Sequence, residues 1–346
     1  MLELNFLIKI FSIICIQLIF LFLIQKINFK KYLSQYQGIQ KIHDGEILRI
    51  GSLFLFLPML IIYLIIDEFK SWSFYLIIIC SSIIIFLTII EDIKHTLSAK
   101  LRLAILFIVS IIYVFFADLP NIKISSILID SQNIIVFYSL YTLSLMMIMN
   151  GFNFIDGLNG LSSFNFITIF ITIYFLAGLY QDEEIKNWSL FLIFLSVFFL
   201  VLNFPFGKFF LGDSGSYLYA FLSGSTVIML FEKYSELPTL LALLIFAYPI
   251  TEIIFSITRK SLIKFSPMEP DNLHLHQLIY NKLNGDKKFR NNLAALLMSF
   301  FWLSPLLLVV LSVQTNLSNI QLYLIYFCFY VISYYGLRKN NFTRLI

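Results

Sequence analysis

Residues 72–92 read WSFYLIIICSSIIIFLTIIED: an uncharged run from Trp72 to Ile90, closed by two adjacent carboxylates, Glu91 and Asp92. At about 1.5 Å of rise per residue, a helix of that length covers most of a hydrocarbon core of roughly 30 Å. Similar runs lie on both sides, near 4–24, 47–66, 101–118, 133–150, 161–180, 188–203, 214–232, 237–258, 292–313 and 319–337. The composition agrees. Of the 346 residues 60% are hydrophobic and 13% charged, and the mean hydropathy is +0.88, whereas a soluble domain carries about 25% charged residues. The sequence therefore predicts an all-α, polytopic integral membrane protein with about 10–11 transmembrane helices. Residues 1–346 read as one domain, with loops near 25–46, 91–100, 151–160, 204–213 and 259–291, all too short to fold alone.

Lysine and arginine set the expected orientation. The connections that alternate with these runs, together with the C-terminal tail, hold 19 of the 24 basic residues on one side; the other side keeps Lys9, Lys70, Lys123, Lys186 and Lys233. The basic side is expected to be cytoplasmic. That places the N-terminus outside and the C-terminus inside. The first run lacks a basic segment before it and a small-residue cleavage site after it, so it reads as a retained helix. Cys15, Cys80 and Cys328 each sit within apolar runs and read as packing or lipid-facing thiols.

The chemistry-bearing residues gather on the basic side. The run Asn150-Gly-Phe-Asn153-Phe-Ile-Asp156-Gly157-Leu-Asn159-Gly160-Leu161 ends the fifth span. It places Asn150, Asn153 and Asp156 three apart and then supplies a turn. Amide and carboxylate oxygens at that spacing suit a hard cation or a sugar nucleotide; the plainer reading is a polar loop between two spans. Gly207-Lys208-Phe-Phe-Leu-Gly212-Asp213-Ser214-Gly215-Ser216 precedes the eighth span, where a helix N-terminus favours phosphate; Asp213 or Ser214 could equally be no more than its N-cap. Glu91-Asp92-Ile-Lys94-His95 closes the third span, either as solvated interfacial charge or as part of a site. Asp271-Asn-Leu-His274-Leu-His276-Gln277 follows Pro267 and Pro270 in the longest loop. His-x-His without nearby Cys argues against zinc and for phosphate contact or proton handling. Gln37 to Gly51, with Lys41, His43 and Arg49, reads on its own as a basic flank. Glu252 within the ninth span is an intramembrane acid, and so a functional suspect; Arg259 is one candidate partner.

Taken together, these segments resemble the polyprenyl-phosphate N-acetylhexosamine-1-phosphate transferases, the MraY/WecA family. The resemblance runs from about residue 38 to 283. It rests on Asn153-x-x-Asp156-Gly157-x-Asn159-Gly160-Leu161, Gly212-Asp213-Ser214-Gly215-Ser216, Glu91-Asp92 followed by Ser98-x-Lys100-x-Arg102, His274-Leu-His276, and Lys41-x-His43…Arg49-x-Gly51. Two positions depart from the family pattern: Glu91 where Asp is usual, and Gln277 where a His-His pair often ends. Both look like the subgroup that builds surface polysaccharide rather than the peptidoglycan precursor.

The resemblance implies a Mg²⁺-dependent transfer of a sugar-1-phosphate from a UDP-sugar to a polyprenyl phosphate, undecaprenyl phosphate being expected, in the bacterial inner membrane. It implies Asp213 and Asn153 as metal ligands, and Asp92, Glu91 and Asp156 as groups that orient or deprotonate the lipid phosphate. It further implies Asn159 at the nucleotide base, Gly212, Lys41 and His43 in substrate binding, and His274, His276 and Lys208 at phosphate. No nucleic-acid partner is expected, and a homodimer is allowed but not required. The rival class is a transporter or flippase, which would place its polar site near the bilayer midplane, where Glu252 is the clear candidate.

Overall fold

The computed structural model describes residues 12–23, 49–65, 67–94, 97–124, 127–266, 269 and 271–338. Lys41, His43, His95, Pro267 and Pro270 lie outside the described residues. Helices α1 (Ser12–Leu23) and α2 (Gly51–Ile65) are followed by α3 (Trp72–Lys94) and α4 (Ala99–Phe116). A short antiparallel hairpin, β1 (Ile122–Ile124) and β2 (Ile127–Ile129), pairs Ile122 with Ile129. Then come α5 (Ile134–Ile155), α6 (Leu161–Leu179), α7 (Glu183–Asn203) and α8 (Gly212–Lys233). The chain continues through α9 (Leu241–Ile245), α10 (Ala247–Leu262), α11 (Leu275–Lys282), α12 (Lys287–Leu297), α13 (Ser299–Trp302), α14 (Ser304–Gln314) and α15 (Asn319–Arg338).

The helical, membrane-spanning class is as expected, with the hairpin as a small addition. Among the described residues seven helices are long and apolar enough to cross a bilayer, and three shorter apolar ones accompany them. The remaining expected spans are broken rather than missing. The 237–258 run divides at Phe246 into α9 and α10, three residues before Pro249, which has no N–H to continue a helix. The 292–313 run divides at Met298 and Leu303, the second break lying next to Pro305 in the first turn of α14. The run read as 188–203 is longer than its apolar stretch. Asp182 accepts from the Ile185 N–H at 2.9 Å and caps a helix that starts at Glu183.

Helix α8 is the centre of the bundle: the whole of its apolar window is buried, against 28–67% for the other long spans. Its sequence explains this. Small residues let α2, α3, α5 and α6 approach closely. The hydroxyls of Ser223, Ser225 and Thr226 donate to the carbonyls of Tyr219, Phe221 and Leu222 at 2.7–2.8 Å, so they carry no unpaired polarity into the interior. Because α8 is fixed on every side, its first turn at Gly212 is a rigid platform.

Candidate active site

The platform is built by α3. The Asp92 carboxylate sits under the first turn of α8: Oδ1 accepts from the Asp213 N–H at 2.7 Å, and Oδ2 accepts from the Ser214 N–H at 3.0 Å and from the Ser214 hydroxyl. Ser214 also meets Ser52 Oγ of α2 at 2.8 Å. A helix N-terminus leaves free N–H groups, and here a carboxylate from another helix satisfies two of them. The approach requires glycine at 212. Its φ is +79°, and a Cβ there would lie 2.6 Å from Asp92 Oδ1.

Capping turns the Asp213 side chain outward, where it pairs with the Arg102 guanidinium from the first turn of α4. Glu91 reaches forward and accepts from the Leu97 N–H at 2.6 Å, which ties the α3–α4 connection. The longer side chain at this departure from the family pattern thus has a local use.

These groups face a cavity of about 830 Å³. The end of α5 lines it with Asn150 and Asn153, and the turn into α6 with Asp156, Gly157 and Asn159; α3, α4 and α8 contribute Glu91, Arg102 and Asp213; His274 lines it from just before α11, and His276 and Gln277 from the first turn of that helix. The remaining flank is apolar, with Leu103, Leu143, Met146, Met147, Ile253 and Ile257 from α4, α5 and α10. Asp156 follows the last residue of α5. Burial, with Asp213 adding and Arg49 opposing, pushes its carboxyl up to about 8.

The α5–α6 turn is held from two distant helices. Asn291 Oδ1 accepts from the Asn159 N–H at 2.8 Å, Asn292 Oδ1 accepts from Asn159 Nδ2 at 3.3 Å, and Asn203 Oδ1 accepts from the Gly160 N–H. His276 packs so closely on Gly157 that a Cβ there would stand 2.1 Å from its Nε2. Among the described residues neither ring nitrogen of His276 has a hydrogen-bond partner. Burial, with His274 adding to it, pulls its pKa down to about 3, so the ring is neutral.

Most of the expected residues therefore converge. Two do not face the cavity. Asp92 lies beneath it, with both carboxylate oxygens held in the α8 cap. Lys208 is exposed, with its amine 5.5 Å from the Phe206 ring centroid, and does not line the cavity. Lys41 and His43 fall outside the described residues. Glu252, for which Arg259 was one candidate partner, contacts His274 and Tyr330 instead. Sequence reading also passed over Asn203, Phe210, Tyr217, Lys260 and Asn291 as cavity residues. Only the folded chain brings Asn291 to Asn159.

A family model described as glycosyl transferase family 4 matches residues 74–231, from the start of α3 to the end of α8.

Over that segment the chain is similar to glycosyl transferase family 4.

The matched segment carries the Glu91-Asp92, Asn153–Leu161 and Gly212–Ser216 motifs. The chain is 27% identical over 310 residues to an undecaprenyl-phosphate alpha-N-acetylglucosaminyl 1-phosphate transferase of Thermotoga maritima, covering 87% of this chain and 88% of the relative. It is 25% identical over 286 residues to a transferase of the same name from Salmonella typhi, covering 78% and 75%. It is 28% identical over 241 residues to a probable undecaprenyl-phosphate N-acetylglucosaminyl 1-phosphate transferase of Bacillus subtilis, covering 68% and 66%.

Proposed function

We propose that this chain is a member of glycosyl transferase family 4 that transfers an N-acetylated sugar-1-phosphate, with N-acetylglucosamine first in line, from its UDP-sugar to undecaprenyl phosphate. The observation that carries the reading is the meeting, in one cavity, of Asp213, the Asn153–Asn159 turn and His276, which are separated by scores of residues in sequence. The names of the relatives point to the same acceptor and sugar.

In this reaction a phosphate oxygen of the lipid attacks the β-phosphorus of the UDP-sugar. A new P–O bond forms, the bond to the bridging α–β oxygen breaks, and UMP leaves with that oxygen. The protein's work is positioning and charge compensation. The cavity suits both halves of the substrate pair: the apolar flank from α4, α5 and α10 receives the polyprenyl chain, and the polar end receives the nucleotide. Arg102, Arg49 and Lys260 in its wall offset phosphate charge. Asp156, with its raised pKa, accepts a proton from the lipid phosphate when that group arrives protonated. His276 is neutral and has no hydrogen-bond partner among the described residues, so it can donate from one nitrogen to a phosphate oxygen.

Among the described residues no three His, Cys, Asp or Glu side chains gather into a metal cage. The donors at hand are oxygens, and Asp213 already draws a cationic side chain. That set fits Mg²⁺, which binds through one or two protein groups plus phosphates. Asp213 and Asn153 are the residues that would hold it. The ion would neutralise charge on the diphosphate.

The excess of Lys and Arg in the loops at this end of the bundle supports a cytoplasmic site, the side on which a UDP-sugar is met. A transporter reading has less support, because its candidate, Glu252, is occupied by His274 and Tyr330. The test is a panel of UDP-sugars offered to the purified protein with undecaprenyl phosphate and Mg²⁺, with the lipid product identified by mass. A lipid-diphosphate-sugar from one N-acetylated donor supports the reading. No lipid product from any donor overturns it.

A further inference from the structure

Glu252 is 1% exposed, on α10. Its Oε1 lies 2.8 Å from His274 Nδ1, and its Oε2 accepts from the Tyr330 hydroxyl of α15 at 2.6 Å. The other nitrogen of His274 lies 3.5 Å from Asp271 Oδ1. Asp271 in turn is paired with Arg259 Nη2 at 2.8 Å. Both ring nitrogens of His274 are thus directed at carboxylates. That is the geometry of a fastening, and it leaves little capacity for phosphate.

His274 is the residue just before α11. Gln277 Oε1 accepts from the His274 N–H at 3.2 Å, and the His274 carbonyl accepts from the Gln277 and Leu278 N–H groups at 3.0 Å. Fixing the His274 ring therefore fixes the start of α11. The next residues along it are His276 and Gln277, and both line the cavity. The two imidazoles are parallel within 9°, with centroids 5.7 Å apart. A rotation of His274 would be transmitted to His276 and, through the contact with Gly157, to the turn that carries Asp156 and Asn159.

We infer that Glu252, oriented by Tyr330, is a positioning residue that acts through His274 to hold His276 against the Asn153–Asn159 turn. The charged buried position then has a purpose: a carboxylate with a hydrogen-bonded partner on each oxygen specifies one geometry where an apolar side chain would allow several. This inference deepens the transferase reading above and rests on it for its activity readout.

The experiment is a double-mutant cycle on the full-length protein in detergent, with UDP-N-acetylglucosamine and undecaprenyl phosphate as probes. Glu252→Gln is expected to lower kcat about tenfold, the scale of coupling within one hydrogen-bonded network. KM for the nucleotide should hold within about twofold, because Asn159 is fastened separately by Asn291. His274→Gln is expected to lower kcat by at least as much. In the double variant Glu252→Gln should add nothing to the His274→Gln loss. Multiplying losses would overturn the inference, since Glu252 would then act by another route. Tyr330→Phe supplies a milder arm, with about a threefold loss alone and none in the His274→Gln background. A readout independent of turnover is trypsin cleavage after exposed Lys264, between α10 and α11. Faster cleavage in Glu252→Gln is expected, and unchanged cleavage overturns the fastening. If the wild type gives no product, the transferase reading falls, and the cleavage comparison alone decides the role of Glu252.

Discussion

Ser214 is held by Asp92 twice, through its backbone N–H at 3.0 Å and through its hydroxyl. With the Asp213 N–H bound to the other oxygen of the same carboxylate at 2.7 Å, the first turn of α8 is clamped onto α3. Removing the clamp should cost about 1–2 kcal/mol, the usual worth of a helix N-cap. Asp92→Ala is therefore expected to lower the melting temperature in detergent, and to raise the Mg²⁺ concentration needed for half-maximal rate because Asp213 loses its fixed direction. Ser214→Ala keeps both backbone bonds and should do much less. Differential scanning fluorimetry and a Mg²⁺ titration of the rate check both. An Asp92→Ala protein with normal stability and normal Mg²⁺ dependence would show that the cap does not set Asp213.

Asp213 is the one acidic side chain that the clamp aims into the cavity. Asp213→Asn keeps the shape and loses the charge, and is expected to reduce kcat by at least ~100-fold, as for loss of a group that stabilises developing charge. Arg102→Lys keeps the charge but loses the planar fork, and should lower the rate by about tenfold. Steady-state assays with saturating lipid acceptor separate these effects from binding.

Asp156 gives a pH prediction with a definite sign. Unfolded, an aspartate titrates near 4; folded, burial and Asp213 push this one up to about 8. Raising the folded pKa of a carboxyl destabilises the fold as pH climbs from about 4 to about 8, after which the contribution is constant. Asp156→Asn should therefore melt higher than the wild type at pH 7–8 in metal-free buffer, while losing activity. In the wild type the rate should rise with pH towards 8, and a bound divalent cation should move that rise to lower pH. Melting curves and rates from pH 5 to 9 test the pair.

The contact between Gly157 and His276 predicts a sharp contrast between two glycines. A Cβ at 157 would stand 2.1 Å from His276 Nε2, whereas one at 178 meets nothing within 4 Å among the described residues. Gly157→Ala should displace the imidazole and lower kcat by about tenfold or more. Gly178→Ala should leave it unchanged. Equal rates for the two variants would separate His276 from the chemistry.

Much of this site was legible in the chain because its residues sit in dense polar clusters that interrupt apolar runs. Asn153, Asp156, Asp213 and His276 stand out against a background with so little charge. What stayed hidden depends on distance. That Asp92 is a cap could not be read from 72–92, because its partners lie 121 and 122 positions away. Asn291 looks like an ordinary polar residue near a helix start until it meets the Asn159 N–H. Lys208, which the resemblance implies at phosphate, stands outside the cavity because the chain at Gly207 (φ +62°) carries it outward beside Phe206. The breaks at Phe246 and Leu303 were signalled by Pro249 and Pro305, but hydropathy averages over single residues and so reads continuous spans.

The most direct test is to count products. Purified protein is given UDP-N-acetylglucosamine, undecaprenyl phosphate and Mg²⁺, and nucleotide and lipid are measured in the same reaction. The account predicts UMP and lipid-diphosphate-sugar in a one-to-one ratio, with neither formed by Asp213→Asn or in the presence of EDTA. Release of UDP in place of UMP, or turnover that survives both the substitution and the chelator, would contradict it.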